Sequence, residues 1–439
     1  MKKINTLKSF KSKSLNGIIN VPGDKSISHR ALIFLSLSYG SATIKGLLES
    51  IDVLNTCKSL KKLGVKIIKK GSNYKVFGNG GVFQNPKKEL NLGNSGTGVR
   101  LMIGMLASRN VIAKFKGDKS LTKRPMLRIL KPLKKLGACI EHKNGFLPLE
   151  VRKSEFLLPS TINETIGSAQ VKSAVILAAL NIIGTTTVNE KVPSRNHSEI
   201  LLNYLGANLK IMSVKTGKKI QINGPIILQP KNIVIPGDFS SASFLIVACL
   251  LCKNSKIIIK SVGINFYRVG LLEVLKKMGG KISLKNKKVE NGEEIADIEV
   301  ESSQLSGKTV GGEISARLID EYPILFVAAS FAKGTTIFKN LEELKFKESD
   351  RLNSMAEALT VSGVRLKLNK NSITIFGNKI QKGGCVIKTF KDHRIAMSML
   401  IFGMLSNEPI QVDEIQMIKT SFPGFFELFK KIGANIKYV

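Results

Sequence analysis

Leu60-Lys-Lys-Leu-Gly64, followed by Val65-Lys-Ile-Ile68, reads as the end of a helix and the start of a strand. The two leucines share one helical face. The two lysines suit the negative end of the helix dipole. The glycine can take the left-handed conformation that closes a helix. The same series recurs as Leu133-Lys-Lys-Leu-Gly137, Leu202-Asn-Tyr-Leu-Gly206, Leu275-Lys-Lys-Met-Gly279, Leu359-Thr-Val-Ser-Gly363 and Phe429-Lys-Lys-Ile-Gly433. The glycines fall 69 to 84 residues apart, and a β-like run follows each, as in Ala434-Asn-Ile-Lys-Tyr-Val439. A fixed period of this length marks a sixfold internal repeat.

A second series interleaves with the first. It consists of an Ala-rich apolar helix, a short polar turn and a strand. It covers Arg30 to Leu47, Val99 to Phe115, Val171 to Val188, Ala242 to Ile259, Pro323 to Phe338 and Arg394 to Val412. These helices are apolar nearly all round, which predicts that they are buried. The repeat is therefore strand, helix, strand, helix and further strand, an α/β unit with helices inside and sheets outside. Six repeats in two groups of three predict two similar domains. A Gly-Asp-x-Ser echo at Gly23-Asp-Lys-Ser26, Gly117-Asp-Lys-Ser120 and Gly237-Asp-Phe-Ser240 supports duplication. The first and third copies lie 214 residues apart, so the chain is expected to cross between domains near Val21-Pro22 and Ile235-Pro236. One domain is then 22–235. The other joins 1–21 to 236–439, with the amino-terminal strand completing it.

Composition narrows the function. A chain of 439 residues exceeds one ordinary core, and 43% hydrophobic with 23% charged residues is globular. No apolar run is long enough to span a membrane. Met1-Lys-Lys-Ile-Asn-Thr-Leu-Lys8 lacks a signal-peptide apolar region. The expected location is the cytoplasm. Cysteines stand at 57, 139, 249, 252 and 385, an odd set without a framework, which fits a reducing compartment. Cys249-Leu-Leu-Cys252 has metal or redox spacing but lies in an apolar run and reads as core. The net charge is +36, which suits nucleic acid or anionic substrates. Lysine is spread along the chain, and 21 Phe, 6 Tyr and no Trp leave no basic run interleaved with aromatics. A solvated basic surface is the expectation, with no nucleic-acid partner.

Gly23-Asp-Lys-Ser-Ile-Ser-His-Arg30 is the strongest local site signal. Loop, then helix start, with Asp24, Ser26 or Ser28 as N-cap, offers free N–H groups and the positive dipole end. Lys25 and Arg30 add fixed charge suited to phosphate or carboxylate. A capped helix with exposed charges is the plainer alternative.

These residues, in order along the chain, resemble a known family. The carrying motifs are Gly23–Arg30, Leu92-Gly-Asn-Ser-Gly-Thr97, Gly117-Asp-Lys-Ser-Leu-Thr-Lys-Arg-Pro-Met126, Ser168-Ala-Gln-Val-Lys-Ser-Ala174 and Pro193-Ser-Arg-Asn-His-Ser-Glu199. They continue with Leu318-Ile-Asp-Glu321, Leu344-Lys-Phe-Lys-Glu-Ser-Asp-Arg351, Asp392-His-Arg394 and Ser421-Phe-Pro-Gly-Phe-Phe426. The chain resembles the 5-enolpyruvylshikimate-3-phosphate (EPSP) synthases. The resemblance implies the enolpyruvyl transferase fold: two inside-out α/β domains, each of three βαβαββ repeats, with the active site in the cleft between them.

The implied reaction moves the enolpyruvyl group of phosphoenolpyruvate to the 5-hydroxyl of shikimate 3-phosphate and releases phosphate. The resemblance makes Asp320, Glu348 and Lys25 the catalytic set. Asp320 would deprotonate the hydroxyl, Glu348 would shuttle the C3 proton, and Lys25 would touch both substrates. Shikimate 3-phosphate would meet Lys25, Ser26, Arg30, Ser168, Ala169, Gln170, Arg195, Asp320 and Lys347. Phosphoenolpyruvate would meet Lys25, Asn94, Gly96, Arg124, Gln170, Arg351 and Arg394, and glyphosate would bind against Gly96 as well. No metal and no cofactor are implied, and the expected protein is a monomer. Taken alone, Lys347, Glu348, Asp350 and Arg351 read as one solvated helix face.

Three departures from the family pattern stand out. Asn196 occupies a position that often holds Asp. Ala169 replaces a second Ser, and Lys419 is displaced by one residue, so it is given no role. The related UDP-N-acetylglucosamine enolpyruvyl transferases are the alternative, but they carry a loop Cys before their Arg-Pro motif, and none lies between Cys57 and Cys139 here. A basic nucleic-acid binder is the remoter alternative.

Overall fold

Gly64, Gly137, Gly206, Gly279, Gly363 and Gly433 all have positive φ, from 87° to 105°. Each closes a helix, and the backbone conformation that requires glycine is the same at all six. The computed structural model describes residues 6–439; residues 1–5, part of the stretch read above for a leader, lie outside them.

Each repeat holds a pair of helices, the first apolar and the second ending at the glycine. The pairs are Lys25–Ser36 (α1) with Ile51–Lys62 (α2), Gly96–Leu106 (α3) with Leu127–Lys135 (α4), and Ala169–Ala179 (α5) with His197–Tyr204 (α6). Phe239–Leu251 (α7) with Gly270–Lys277 (α8) comes next. A short extra helix, Ile314–Leu318 (α9), precedes Tyr322–Ser330 (α10) with Arg351–Val361 (α11), and the last pair is His393–Gly403 (α12) with Phe425–Lys431 (α13). The wider spacing between Gly279 and Gly363 comes from α9 and from a long hairpin, Lys281–Glu290 with Glu293–Glu301.

The described residues form six four-stranded sheets with one shared order. In the first repeat Ile233–Val234 runs parallel to Tyr39–Lys45. That strand pairs antiparallel with Asn73–Asn79, which pairs antiparallel with Lys66–Lys70. Alternate residues such as Tyr74 and Val76, Ile220 and Ile222, and Ile373 and Ile375 are buried, so each sheet turns one face to the helices. Chain order and sheet membership are permuted at the ends. Leu7–Ser9 lies between Ile410–Val412 and Ile436–Tyr438 in the last repeat's sheet. Asn16–Asn20 runs parallel to Lys256–Lys260 in the fourth.

Two compact units result. One is residues 23–235 together with Val289–Glu293; the other runs up to Pro22 and continues through 236–288 and 294–439. Relative to the expected 22–235 and 236–439, Pro22 and the hairpin tip Val289–Glu293 fall on the other side. Within the first unit the buried helices α1, α3 and α5 pack on one another. A Cβ on Gly104 of α3 would lie 2.4 Å from Ala174 Cα of α5, so glycine is present there for close backbone approach. Within the other unit α7, α10 and α12 are packed in the same way.

Of the three Gly-Asp-x-Ser echoes, two cap buried helices: Asp24 accepts from Ile27 N–H at 2.9 Å, and Asp238 from Ser240 N–H at 3.2 Å. The third does not. Asp118 accepts from Ser120 and Leu121 N–H at the start of a single 3₁₀ turn, Leu121–Lys123. Cys249 and Cys252 are core residues whose thiols donate to Val300 and Ser12 carbonyls; burial pushes the Cys249 thiol up to about 12.

His29 joins three helices. Its ring meets Thr56 Oγ1 on α2 at 2.8 Å and Ser95 Oγ, the N-cap of α3, at 3.2 Å. Burial, and then the charges of Lys25 and Arg30, hold it well below the usual imidazole range. The folded protein therefore keeps His29 neutral while the unfolded chain takes up a proton below about pH 6.5. The contribution is complete above that pH and is lost as pH falls. His29→Gln keeps hydrogen-bonding capacity without a titrating ring. In urea denaturation from about pH 7.5 to about pH 5, stability of the native protein should fall more steeply than that of the variant, by up to ~1.4 kcal/mol per pH unit. Parallel pH profiles would show that His29 does not titrate on unfolding.

Candidate active site

In the first unit the N-termini of α1, α3 and α5 carry the anion-binding candidates. None has an acidic residue in its first turn, and α3 and α5 are capped by neutral serines, so their positive dipole ends are not cancelled; α1 carries the Asp24 cap. Side chains bind the three together. Gln170 Nε2 donates to Thr97 Oγ1 at 3.0 Å, and its carbonyl oxygen accepts from Arg100. Arg30 of α1 donates to Ser173 Oγ of α5 at 3.0 Å, to Ser198 Oγ of α6 at 2.8 Å and to Ser26 O at 3.1 Å. All three acceptors are neutral. Burial draws the Arg30 guanidinium down to about 10, against the pull of Glu199, Asp24 and Glu293, so it remains a cation at neutral pH.

Lys25 Nζ lies 2.5 Å from Asp52 at the start of α2. Arg124 follows the 3₁₀ turn, donates to Asn94 Oδ1, and lies 3.3 Å from Ser120 Oγ. Gly96 is the first residue of α3, and a Cβ there would meet Arg124 Nη1 at 3.1 Å and Arg100 Nη1 at 3.3 Å. Ser168 caps α5 through its hydroxyl, and Ala169 has only its backbone to offer. Arg195 lies half-buried in the segment before α6.

In the other unit Arg351 is the centre. It is 1% exposed, so the solvated-face reading of 347–351 does not hold. Lys347 and Glu348 lie before the helix rather than on it, and Asp350 is the N-cap of α11. Arg351 Nε is 2.9 Å from Asp392, Nη1 is 3.4 Å from Asp320, and Nη2 donates to Glu348. Burial opposes its charge, but Asp392, Glu348 and Asp320 outweigh that and hold the guanidinium far above the ordinary arginine value. Burial likewise opposes ionisation of Asp392, and Arg351 reverses it, keeping the carboxyl below the usual range. Asp320 and Glu348 differ from Asp392 in access: they are 20% and 21% exposed, and Asp392 is not exposed at all. Lys347 Nζ is 3.5 Å from Asp320.

Arg394 lies in the first turn of α12, where Asp392 accepts its backbone N–H at 2.8 Å, and its guanidinium is 3.6 Å from Glu321. Glu321 in turn accepts from Ser240 Oγ, and Arg268 bonds both Asp238 and Ser240 at 2.8 Å. Lys419 is exposed on the 3₁₀ turn Gln416–Thr420. Sequence reasoning gave no role to Asp392, Glu321, Arg100, Ser173 or Ser198, although the first two, Ser173 and Ser198 stand inside quoted motifs. Arg268 lies in no motif.

The sequence matches the family model for EPSP synthase (3-phosphoshikimate 1-carboxyvinyltransferase) over residues 10–429. A 3-phosphoshikimate 1-carboxyvinyltransferase of Bartonella quintana is 45% identical over 441 residues, covering 99% of this chain and all of that protein. One from Chelativorans is 43% identical, covering 98% and 97%. Among solved structures, an EPSP synthase from Acinetobacter baumannii superposes with a TM-score of 0.88 at 35% identity, covering 99% of this chain and 100% of the other. The enolpyruvyl transferase NikO from Streptomyces tendae shares the fold at a TM-score of 0.78 and 15% identity. With the repeat architecture, the clustered helix N-termini and these full-length matches in agreement, the chain belongs to the EPSP synthase (3-phosphoshikimate 1-carboxyvinyltransferase) family.

Proposed function

We propose that the chain transfers the enolpyruvyl group of phosphoenolpyruvate to the 5-hydroxyl of shikimate 3-phosphate, releasing phosphate. The observation that carries the residue roles is the ion cluster at Arg351. One of its carboxylates is fully enclosed, and two can be reached from solvent. Asp392 keeps Nε in place. The Nη edge can then exchange Asp320 and Glu348 for the carboxylate of phosphoenolpyruvate, with Arg394 as the second clamp. The exchange frees two carboxylates for proton chemistry. Asp320 takes the proton of the 5-hydroxyl as the oxygen attacks C2, and Glu348 delivers a proton to C3. As phosphate leaves, the methyl group gives a proton back.

The cations of 22–235 complete the proposal. Arg124, with Asn94 and Gly96, meets the phosphate of phosphoenolpyruvate. Arg30, Ser26, Ser168, Ala169, Gln170 and Arg195 meet shikimate 3-phosphate, which Lys347 also contacts. Lys25 and Gln170 meet both substrates. On this reading the two domains, 22–235 and 1–21 with 236–439, serve one pair of small anionic substrates. The protein works as a cytoplasmic monomer without nucleic acid, metal or cofactor. Among the described residues no helix is long and apolar enough to cross a membrane.

Phosphate release from phosphoenolpyruvate tests the reaction. Release must depend on shikimate 3-phosphate; release with UDP-N-acetylglucosamine instead would assign the related activity.

Gly96→Ala places a methyl group against two guanidinium groups at 3.1 and 3.3 Å, so Arg124 must give way. KM for phosphoenolpyruvate should rise several-fold and the inhibition constant for glyphosate should rise further, since the inhibitor is longer. Unchanged constants would displace this loop from the site. Asp392→Ala leaves Arg351 without its enclosed partner. Stability should fall by ~3–5 kcal/mol in urea denaturation, and KM for phosphoenolpyruvate should rise about tenfold or more. A stability loss with KM unmoved would separate Arg351 from substrate. Asp320→Asn and Glu348→Gln should each lower kcat by ~10²–10⁴-fold. In deuterated water Glu348→Gln should also suppress deuterium uptake at C3; rapid uptake in that variant would pass the proton to another group, Lys25 first.

A further inference from the structure

Lys172, on α5, is 1% exposed. A lysine removed from water needs opposite charge close by. Nζ lies 3.0 Å from Glu190 and 2.8 Å from Glu199, and it donates to the carbonyl of Ser194 at 3.3 Å. Both glutamates are themselves buried. Burial opposes the Lys172 charge, yet Glu199 and Glu190 outweigh it and hold the ammonium above the ordinary lysine range.

The three groups reach directly to residues placed at the acceptor substrate. Glu190 accepts from the backbone N–H of Ser194 at 2.9 Å and from its hydroxyl, and Ser194 precedes Arg195. Glu199 follows Ser198, whose hydroxyl lies 2.6 Å from Ser173 Oγ; both hydroxyls hold Arg30. Ser173 follows Lys172. The Lys172–Glu199 and Ser173–Ser198 contacts therefore join α5 to α6, and α1 joins them through Arg30. Asn196 does not cap α6 through its side chain, and the segment before it is held at Ser194 by Glu190 and Lys172. Arg30 feels the same cluster: Glu199, then Asp24 and Glu293, favour its charge, and Arg195 opposes it. Without Lys172, two enclosed carboxylates would lose their common cation, and Glu199 already acts on Arg30.

We propose that Lys172 is a positioning residue for shikimate 3-phosphate. It occupies Glu190 and Glu199 so that Arg30 stays available to the substrate's anionic groups, and it holds the segment carrying Arg195 against α5. The inference rests on the placement of shikimate 3-phosphate proposed above.

Lys172→Met keeps the side-chain length and removes the charge. KM for shikimate 3-phosphate should rise about tenfold or more, with KM for phosphoenolpyruvate within about twofold. Adding Glu199→Gln should recover at least half of that rise on a logarithmic scale, a rescue that lost packing would not give. An unchanged KM for shikimate 3-phosphate, an equal rise for both substrates, or no rescue would each overturn the proposal. If Lys172→Met does not fold, Glu190→Gln serves, because Lys172 keeps Glu199. It should raise KM for shikimate 3-phosphate about threefold or more, and no change there overturns the positioning role. Arg195→Ala is measured alongside. Normal shikimate 3-phosphate binding in that variant would overturn the substrate placement itself. A loss of binding there with Lys172→Met silent would overturn only the role of Lys172.

Discussion

A helix enclosed on every side meets water only at its ends, and the chain is organised around six such helices. Their side chains need apolar cover all round, and the inner faces of six sheets give it. Their first-turn N–H groups still need partners. Asp24, Ser95, Ser168, Asp238 and Asp392 answer that need as N-caps, each with a side-chain bond to the first turn. No first turn of the six contains an acidic residue, and Ser95 and Ser168 cap α3 and α5 with neutral hydroxyls, so the positive ends of those two dipoles are left to other anions. The requirement that buries the helices thereby also produces the sites. Catalytic and binding candidates gather at helix starts because those are the polar points of an otherwise apolar interior.

The two units hold their buried arginines differently. Arg30 is satisfied by hydroxyls and a carbonyl, which fix its direction without neutralising it. A phosphate or carboxylate arriving there displaces no carboxylate from the guanidinium. Arg351 is neutralised three times over. An anion arriving there must exchange with a carboxylate, and the exchange releases a proton acceptor. The first arrangement suits recognition and the second suits acid–base chemistry, which is the division the proposed reaction requires.

Much of the architecture was legible because its signals are local. A glycine that ends a helix, and an apolar helix followed by a turn and a strand, each lie within about twenty residues of sequence. The six positive-φ glycines and the six buried helices stand where those patterns put them. The sites were less legible. Arg351 looked like part of a solvated face because its partners Asp320 and Asp392 are 31 and 41 residues away in sequence. Lys172 stood inside a quoted motif without a role, since Glu190 and Glu199 approach it only through the fold. The individual roles of Asp320 and Glu348 came from family resemblance; spacing alone could not separate one carboxylate from another. Nor did anything local announce α9 or the long hairpin whose tip, Val289–Glu293, joins the other unit.

The +36 charge has a reading that follows from the same architecture. In each sheet the strand after the glycine lies at an edge. All six of these edge strands carry exposed lysine: Lys66, Lys143, Lys210, Lys281, Lys367 and Lys437 among others. An edge strand with unpaired backbone groups invites pairing with another chain, and a charged side chain on it opposes that. Six open sheets create this need many times over. The arginines of the candidate site are of another kind. Arg30, Arg124, Arg351 and Arg394 are buried, and arginine keeps its charge and its forked geometry when withdrawn from water. Net charge counts both populations together. Burial separates them, and it is the small buried set whose placement bears on the chemistry.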